Sequence, residues 1–336
     1  MKPKKLTRFV WALLMLFLTI VACTGTSKPT PTAVPTSAPA TSAPTSSGPS
    51  TSNQGLAPAD LPSQPRDQAD DVNSSSFAAT KNVSSGDNFV NGLYERPFSA
   101  NTMDTYFPYM DIIHIEGFMD STWGYAAITM EGVDKNGNLS AEYAVELDLN
   151  RDGRGDWLIR ATDPGSTTWT TKNVQAWKDT NGDVGGVVPM IADSKPSGGD
   201  GYETLVFDQG KGSLTDGAWV RISPTDPKTV EIAFKLSMLG SSSSFAMGGW
   251  AGANIDPSMF DYNDHMTHTQ AGDPNQGYPQ VYPIRALAEI DNTCRLAIGF
   301  VPTGKESGLC KTIVPNKAGP VFPPPAPPPA GPPQIQ

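Results

Sequence analysis

Short runs in which apolar and polar side chains alternate, broken every few residues by Gly, Asp, Asn or Pro, leave this chain little choice but β structure. Tyr143, Val145 and Leu147 alternate with Ala144 and Glu146, and Val230, Ile232 and Phe234 alternate with Glu231 and Lys235. That is the period-two pattern of a half-buried strand. Further strand-like runs are 112–117, 123–131, 157–161, 169–177, 202–207, 218–222, 245–253 and 286–291. The best helical stretch is a single turn at 236–239. The expected fold class is all-β, an antiparallel β-sandwich of about ten strands with one short helical turn.

Proline marks where that fold should stop. Of the 32 prolines, 9 fall in residues 24–66 and 10 in residues 315–336. Thr, Ser, Pro, Ala and Gly fill 34 of the 43 positions in 24–66. Such segments bury too little apolar surface to offset their ordering entropy. The expected organisation is a signal peptide over 1–22, a Thr/Pro/Ser-rich linker over 23–84, a β-sandwich over 85–314 and a Pro-rich disordered tail over 315–336.

Charge narrows the partners. Residues 85–312 hold 16 Lys and Arg against 30 Asp and Glu. A domain so acidic repels phosphate backbones, which argues against nucleic acid, and makes divalent cations natural counter-ions.

The beginning of the chain reads as an address. Lys2, Lys4, Lys5 and Arg8 precede an uncharged apolar run from Phe9 to Ala22, a secretory signal too short for a comfortable transmembrane span. The run closes Ile20-Val21-Ala22-Cys23, which resembles the bacterial lipobox and implies lipidation of Cys23. The competing account is an ordinary signal peptide or short anchor with an incidental cysteine. Thr24 stands where a retention Asp would be, so the expected location is the bacterial cell surface, with the membrane a partner through the lipid anchor. Cys294 and Cys310 remain as a pair in an oxidising compartment, and closing that loop would contribute about 3 kcal/mol.

The stretch Val230-Glu231-Ile232-Ala233-Phe234-Lys235-Leu236-Ser237-Met238-Leu239-Gly240, followed by Phe245-Ala246-Met247-Gly248-Gly249-Trp250-Ala251, resembles the closing strands of DOMON-like and family-9-like carbohydrate-binding sandwiches. The chain as a whole resembles bacterial surface lipoproteins. The resemblance implies an extracytoplasmic sandwich, often a sugar- or haem-binding module, and carries no ligand with it.

Calcium is the expected cofactor. In Asp148-Leu149-Asn150-Arg151-Asp152-Gly153-Arg154-Gly155-Asp156, Asp148, Asn150, Asp152 and Asp156 place oxygens at positions 1, 3, 5 and 9, and Arg154 offers a carbonyl at position 7. This resembles the calcium loops of dockerins and thrombospondin-type repeats, with Ile159 in place of the twelfth-position Glu of an EF-hand. The alternative is an Asx/Gly hairpin turn with solvated acids. Asp179, Asn181 and Asp183 form a second, shorter loop open to the same two accounts. Asp134–Asn138 reads as a turn.

Asp264, His265 and His268 could supply mixed ligands to a transition metal, but an i, i+3 His pair without a helix is poorly oriented. His114 is expected to pack within a strand. Six Trp lie in the central region; most should be core, and Trp169, Trp177 and Tyr202 are the candidate stacking platform for a sugar. Glu142 and Glu146 are expected on a solvated strand face. No nucleophile elbow or Cys–His frame accompanies them, so a non-catalytic binding module, for glycan, is expected over a hydrolase with an acidic or metal site, or a structural envelope protein.

Overall fold

A computed structural model describes residues 56–81, 86–273 and 283–311. The signal segment, Cys23 and the 315–336 tail lie outside the described residues. Two antiparallel sheets face each other. The first runs β1 (Asp67–Asp70), β3 (Ile112–Met119), β4 (Trp123–Met130), β10 (Thr229–Lys235), β9 (Ala218–Ile222). The second runs β2 (Glu95–Arg96), β12 (Ile290–Asn292), β11 (Phe245–Gly252), β5 (Glu142–Asp148), β6 (Trp157–Thr162), β7 (Val174–Lys178), β8 (Thr204–Asp208). A further strand, β13 (Leu296–Ile298), also pairs with β11. The chain is therefore an all-β sandwich, with one short helix, α1 (His268–Ala271), and a few 3-10 turns.

The alternation read from sequence decides what faces inward. Tyr143, Val145 and Leu147 of β5 meet Val230, Ile232 and Phe234 of β10 in the central core. The helical turn at Leu236–Leu239 is a 3-10 turn that seals its end. The opposite parity of β5 was expected to face water, and here the structure differs. Ala144, Leu158 and Trp250 on the outer face of the larger sheet pack into a second apolar cluster with Phe89, Tyr94, Tyr202, Phe260 and Tyr262. Glu146 is 4% exposed. The long connections before β2, after β7 and after β11 fold back over this face, so a strand acid that local pattern assigns to solvent is enclosed.

The sandwich also takes in residues assigned from composition to the linker. β1 pairs with β3 from Asp67↔Gly117 to Asp70↔His114, and Ala69 packs against the central core. Upstream, Asp60 pairs with Arg221 at 2.8 Å. Only one residue of Asp67-Gln68-Ala69-Asp70 is apolar, because β1 is an edge strand whose side chains are at most partly buried. Cys294 and Cys310 form a disulfide with their Cα atoms 4.9 Å apart. His114 sits in β3 with Nδ1 2.8 Å from Asp70 Oδ1, half-buried at the sheet surface rather than packed inside.

Candidate functional site

Where β1 and β2 bring the edges of the two sheets together, a cavity of about 870 Å³ opens. Its apolar lining comes from Leu93, Pro189, Met190, Ile191 and Leu309, and its polar lining includes Gln68, Asp70, Asn91, Asn292 and Lys311. The Cys294–Cys310 bridge forms part of the wall. Volumes of this order accept a drug-sized molecule.

Asp71 and Glu95 also line the cavity, and behind them stands Asp291. Among the described residues these three are the one group of three or more His, Cys, Asp or Glu whose ligand atoms all lie within 4.8 Å of one another. Local structure fixes each. Asp71 leaves β1 with its amide on the Ile113 carbonyl at 3.0 Å. Glu95 and Asp291 are cross-strand partners on β2 and β12, so the ladder holds them side by side. Asp291 Oδ2 accepts the Ile112 amide at 2.6 Å, and Ser74 Oγ donates to Glu95 Oε2 at 3.2 Å. Asp111 stands close by, accepting the Ser74 amide and the Tyr106 hydroxyl. Burial pushes all four carboxyls up, Asp71 to about 7 and Asp111 to about 6, and mutual repulsion adds to it.

A second buried polar group lies on the outer face of the larger sheet. Arg295 is 3% exposed, with Nη2 3.2 Å from Glu146 Oε2 and Nη1 3.5 Å from Asp148 Oδ2. Glu146 also accepts the Tyr202 hydroxyl at 2.7 Å and the Trp250 indole N–H at 3.2 Å. Asp261 is buried beside them, pushed up to about 7 by burial and the Glu146 charge, with Arg295 opposing and Asp264 adding to the rise. Tyr202 shares the same electrostatic neighbourhood. Between the unfolded value near 4 and about 7 the folded chain holds a proton that the unfolded chain has released, so stability falls as pH rises through that window. Asp261→Asn removes this contribution. Denaturant midpoints should show the variant gaining on wild type from pH 5 to pH 8, and a pH-independent difference would refute the account.

In the loop after β5, Asp148 Oδ1 accepts the Arg151 amide at 2.5 Å and Oδ2 the Gly153 amide at 2.8 Å. Asn150 Oδ1 accepts the Asp152 amide, Asp152 Oδ1 the Arg154 amide, and Asp156 Oδ2 the Leu149 amide. The loop after β7 repeats the pattern: Asp179 accepts from Asn181, Gly182 and Val184, and Asn181 accepts from Asp183. In the first loop the side-chain oxygens are engaged by the chain's own amides and the three Asp do not converge within 4.8 Å; in the second, Asp183 Oδ2 accepts the Asp200 amide at 3.0 Å while its Oδ1 is buried without a hydrogen-bond partner among the described residues.

Trp169, Trp177 and Tyr202 do not form one platform. Tyr202 is 1% exposed and belongs to the second cluster. The chain turns at Asn173, where φ is 61°, and β7 starts at Val174, so the parity of residues 169 and 177 is broken. Trp169 packs on the outer face of the smaller sheet, with the Arg221 guanidinium 4.4 Å from its ring centre and its N–H on the Ala59 carbonyl. Trp177 packs on the outer face of the larger sheet. The histidine group does not assemble either. Asp264 Oδ1 accepts the Asp193 amide at 2.8 Å, while His268 Nδ1 faces Asp273 Oδ2 at 2.7 Å from the start of α1.

Sequence reasoning missed Asp71, Glu95, Asp111 and Asp291. They are spread over 220 positions with no shared spacing, and only strand pairing brings them together. Comparisons with family models, curated proteins and solved structures find no match to this chain. Among the described residues, no helix is long and apolar enough to cross a membrane.

Proposed function

We propose that this chain is a non-catalytic, lipid-anchored surface binding module that takes a neutral or amine-bearing glycan into the 870 Å³ cavity. The cavity carries the reading: it joins an apolar wall at Pro189–Ile191 to hydrogen-bonding side chains at Gln68 and Asn91. Asp67 and Asp70 in its lining disfavour uronic acids and other anions by like-charge repulsion. The aromatic residues singled out from sequence are not among its lining, so sugar recognition here rests on hydrogen bonds and apolar contact.

The test is a panel of neutral, amino-sugar and uronic oligosaccharides titrated onto the full chain. Saturable binding of neutral or amino sugars is expected, weakened tenfold or more by Met190→Glu and unchanged by Trp177→Ala. Binding that follows Trp169 or Trp177 instead would move the site to a sheet face, and absence of any binding would sink the reading. A second reading is favoured by Asp71 and Glu95, two raised carboxyls together on the cavity wall: a hydrolase with one as general acid. Turnover of a panel member, lost in Glu95→Gln, would replace the binding module with that enzyme.

A further inference from the structure

We propose that Asp71, Glu95 and Asp291 hold a calcium ion that ties the edges of the two sheets together beside the cavity. The donors are hard oxygens, with no nitrogen or sulfur in the group, which favours a hard cation over zinc or copper. Their separation of no more than 4.8 Å is about twice a calcium–oxygen distance of ~2.4 Å, so one ion between them reaches all three.

Acidity alone would not make a site, since acidic side chains often crowd without an ion. The decisive observation is what Asp291 and Asp71 lack. Asp291 is 0% exposed, yet its Oδ1 has no hydrogen-bond partner among the described residues, and Asp71 Oδ2 is likewise buried without one. A buried carboxylate oxygen left bare is costly. No Lys or Arg forms an ion pair with Asp71, Glu95, Asp111 or Asp291 among the described residues. The guanidinium of Arg96, adjacent to Glu95 in sequence, bonds Asp87 and the carbonyls of Ala271 and Leu287. The group therefore gathers hard oxygen donors, two of them bare, with no ion-paired Lys or Arg among the described residues.

Its place in the fold gives the ion a task. Asp71 follows β1 of the smaller sheet, whereas Glu95 and Asp291 sit on β2 and β12 of the larger one. Both strands are short, and β2 is joined to the sheet through two residue pairs. A cation there would brace the edges where hydrogen bonding is sparse. Ser74 Oγ, 3.2 Å from Glu95 Oε2, and Asp111 behind it would steady the cage.

The experiment uses the full chain stripped with chelator and titrated with calcium alone. Expected are one calcium per chain bound at this site and a rise in Tm of about 5 °C or more at saturation. Both should fall at least tenfold in apparent affinity in Asp291→Asn and in Glu95→Gln, and persist in Asp152→Ala. Circular dichroism establishes that each variant keeps the wild-type β spectrum. If Asp291→Asn fails to fold, Glu95→Gln and the stoichiometry of wild type still decide the matter. The proposal is overturned if no calcium binds, or if calcium leaves the melt unchanged. It is equally overturned if Asp152→Ala removes the calcium response while Glu95→Gln and Asp291→Asn retain it, which would place the ion in the loop after β5.

Discussion

Arg295→Ala is expected to destabilise the fold by about 3–5 kcal/mol, the cost of breaking a buried ion network by removing one partner. The guanidinium is enclosed between Glu146 and Asp148 and also donates to the Gly153 carbonyl at 2.9 Å. Its loss leaves two buried carboxylates facing each other, with Asp261 nearby and nothing positive to balance them. It also frees the loop that begins at Asp148, since the same side chain reaches that loop twice. Urea unfolding should show a midpoint well below wild type at pH 7, and the deficit should shrink toward pH 4 as Asp148 and Asp261, both pushed up by burial, take up protons. Arg295→Lys should recover little, because an ammonium cannot reach Glu146, Asp148 and the Gly153 carbonyl together. A loss below about 1 kcal/mol would mean that water reaches this network and would remove it as a stabilising element.

What the sequence shows and what it hides divide along the range of the interactions. Period-two alternation at Tyr143–Leu147 and Val230–Phe234 is a local pattern, and it correctly placed six core side chains and the all-β class. The loops after β5 and β7 left two accounts open, a calcium loop or a tight turn, because the same alternate oxygens that could hold an ion also bond amides two to five residues on. Glu146 was not legible, because its surroundings come from Tyr202, Trp250 and Arg295, as far as 149 positions away. Nothing beside Glu146 in the chain distinguishes it from a solvated strand acid. The cluster of Asp71, Glu95 and Asp291 is an extreme of the same kind: each is an ordinary acid in its own segment, and their meeting depends on two strand pairings. The misplaced platform arose differently. Parity along a strand is informative only while the strand is continuous, and the turn at Asn173 interrupts it.

The Asp148–Asp156 loop holds a second expectation of large effect, and it concerns space rather than turn geometry. Two glycines lie in the loop, and only Gly153 has the left-handed φ, at 94°, that a side chain would strain. Gly155 is needed because the Tyr202 hydroxyl and the Glu146 carboxylate occupy the space where a methyl would go. A Cβ there would lie 1.7 Å from Tyr202 Oη and 2.4 Å from Glu146 Oε1. Neither can withdraw: Tyr202 is edge-on to Phe260 with ring centres 5.4 Å apart, and Glu146 is held by Trp250 and Arg295. Gly155→Ala should therefore cost about 3 kcal/mol, the upper end for overpacking a filled interior, because either the loop lifts or the Tyr202–Glu146 bond breaks. A double-mutant cycle separates this from a simple propensity change. Tyr202→Phe removes the oxygen nearest the new methyl, so Gly155→Ala should be less damaging in that background than in wild type, with a coupling of about 1 kcal/mol or more. Strict additivity, or a Gly155→Ala chain that unfolds with wild type, would show that the loop has room to move and that its packing on β5 is not what fixes the network.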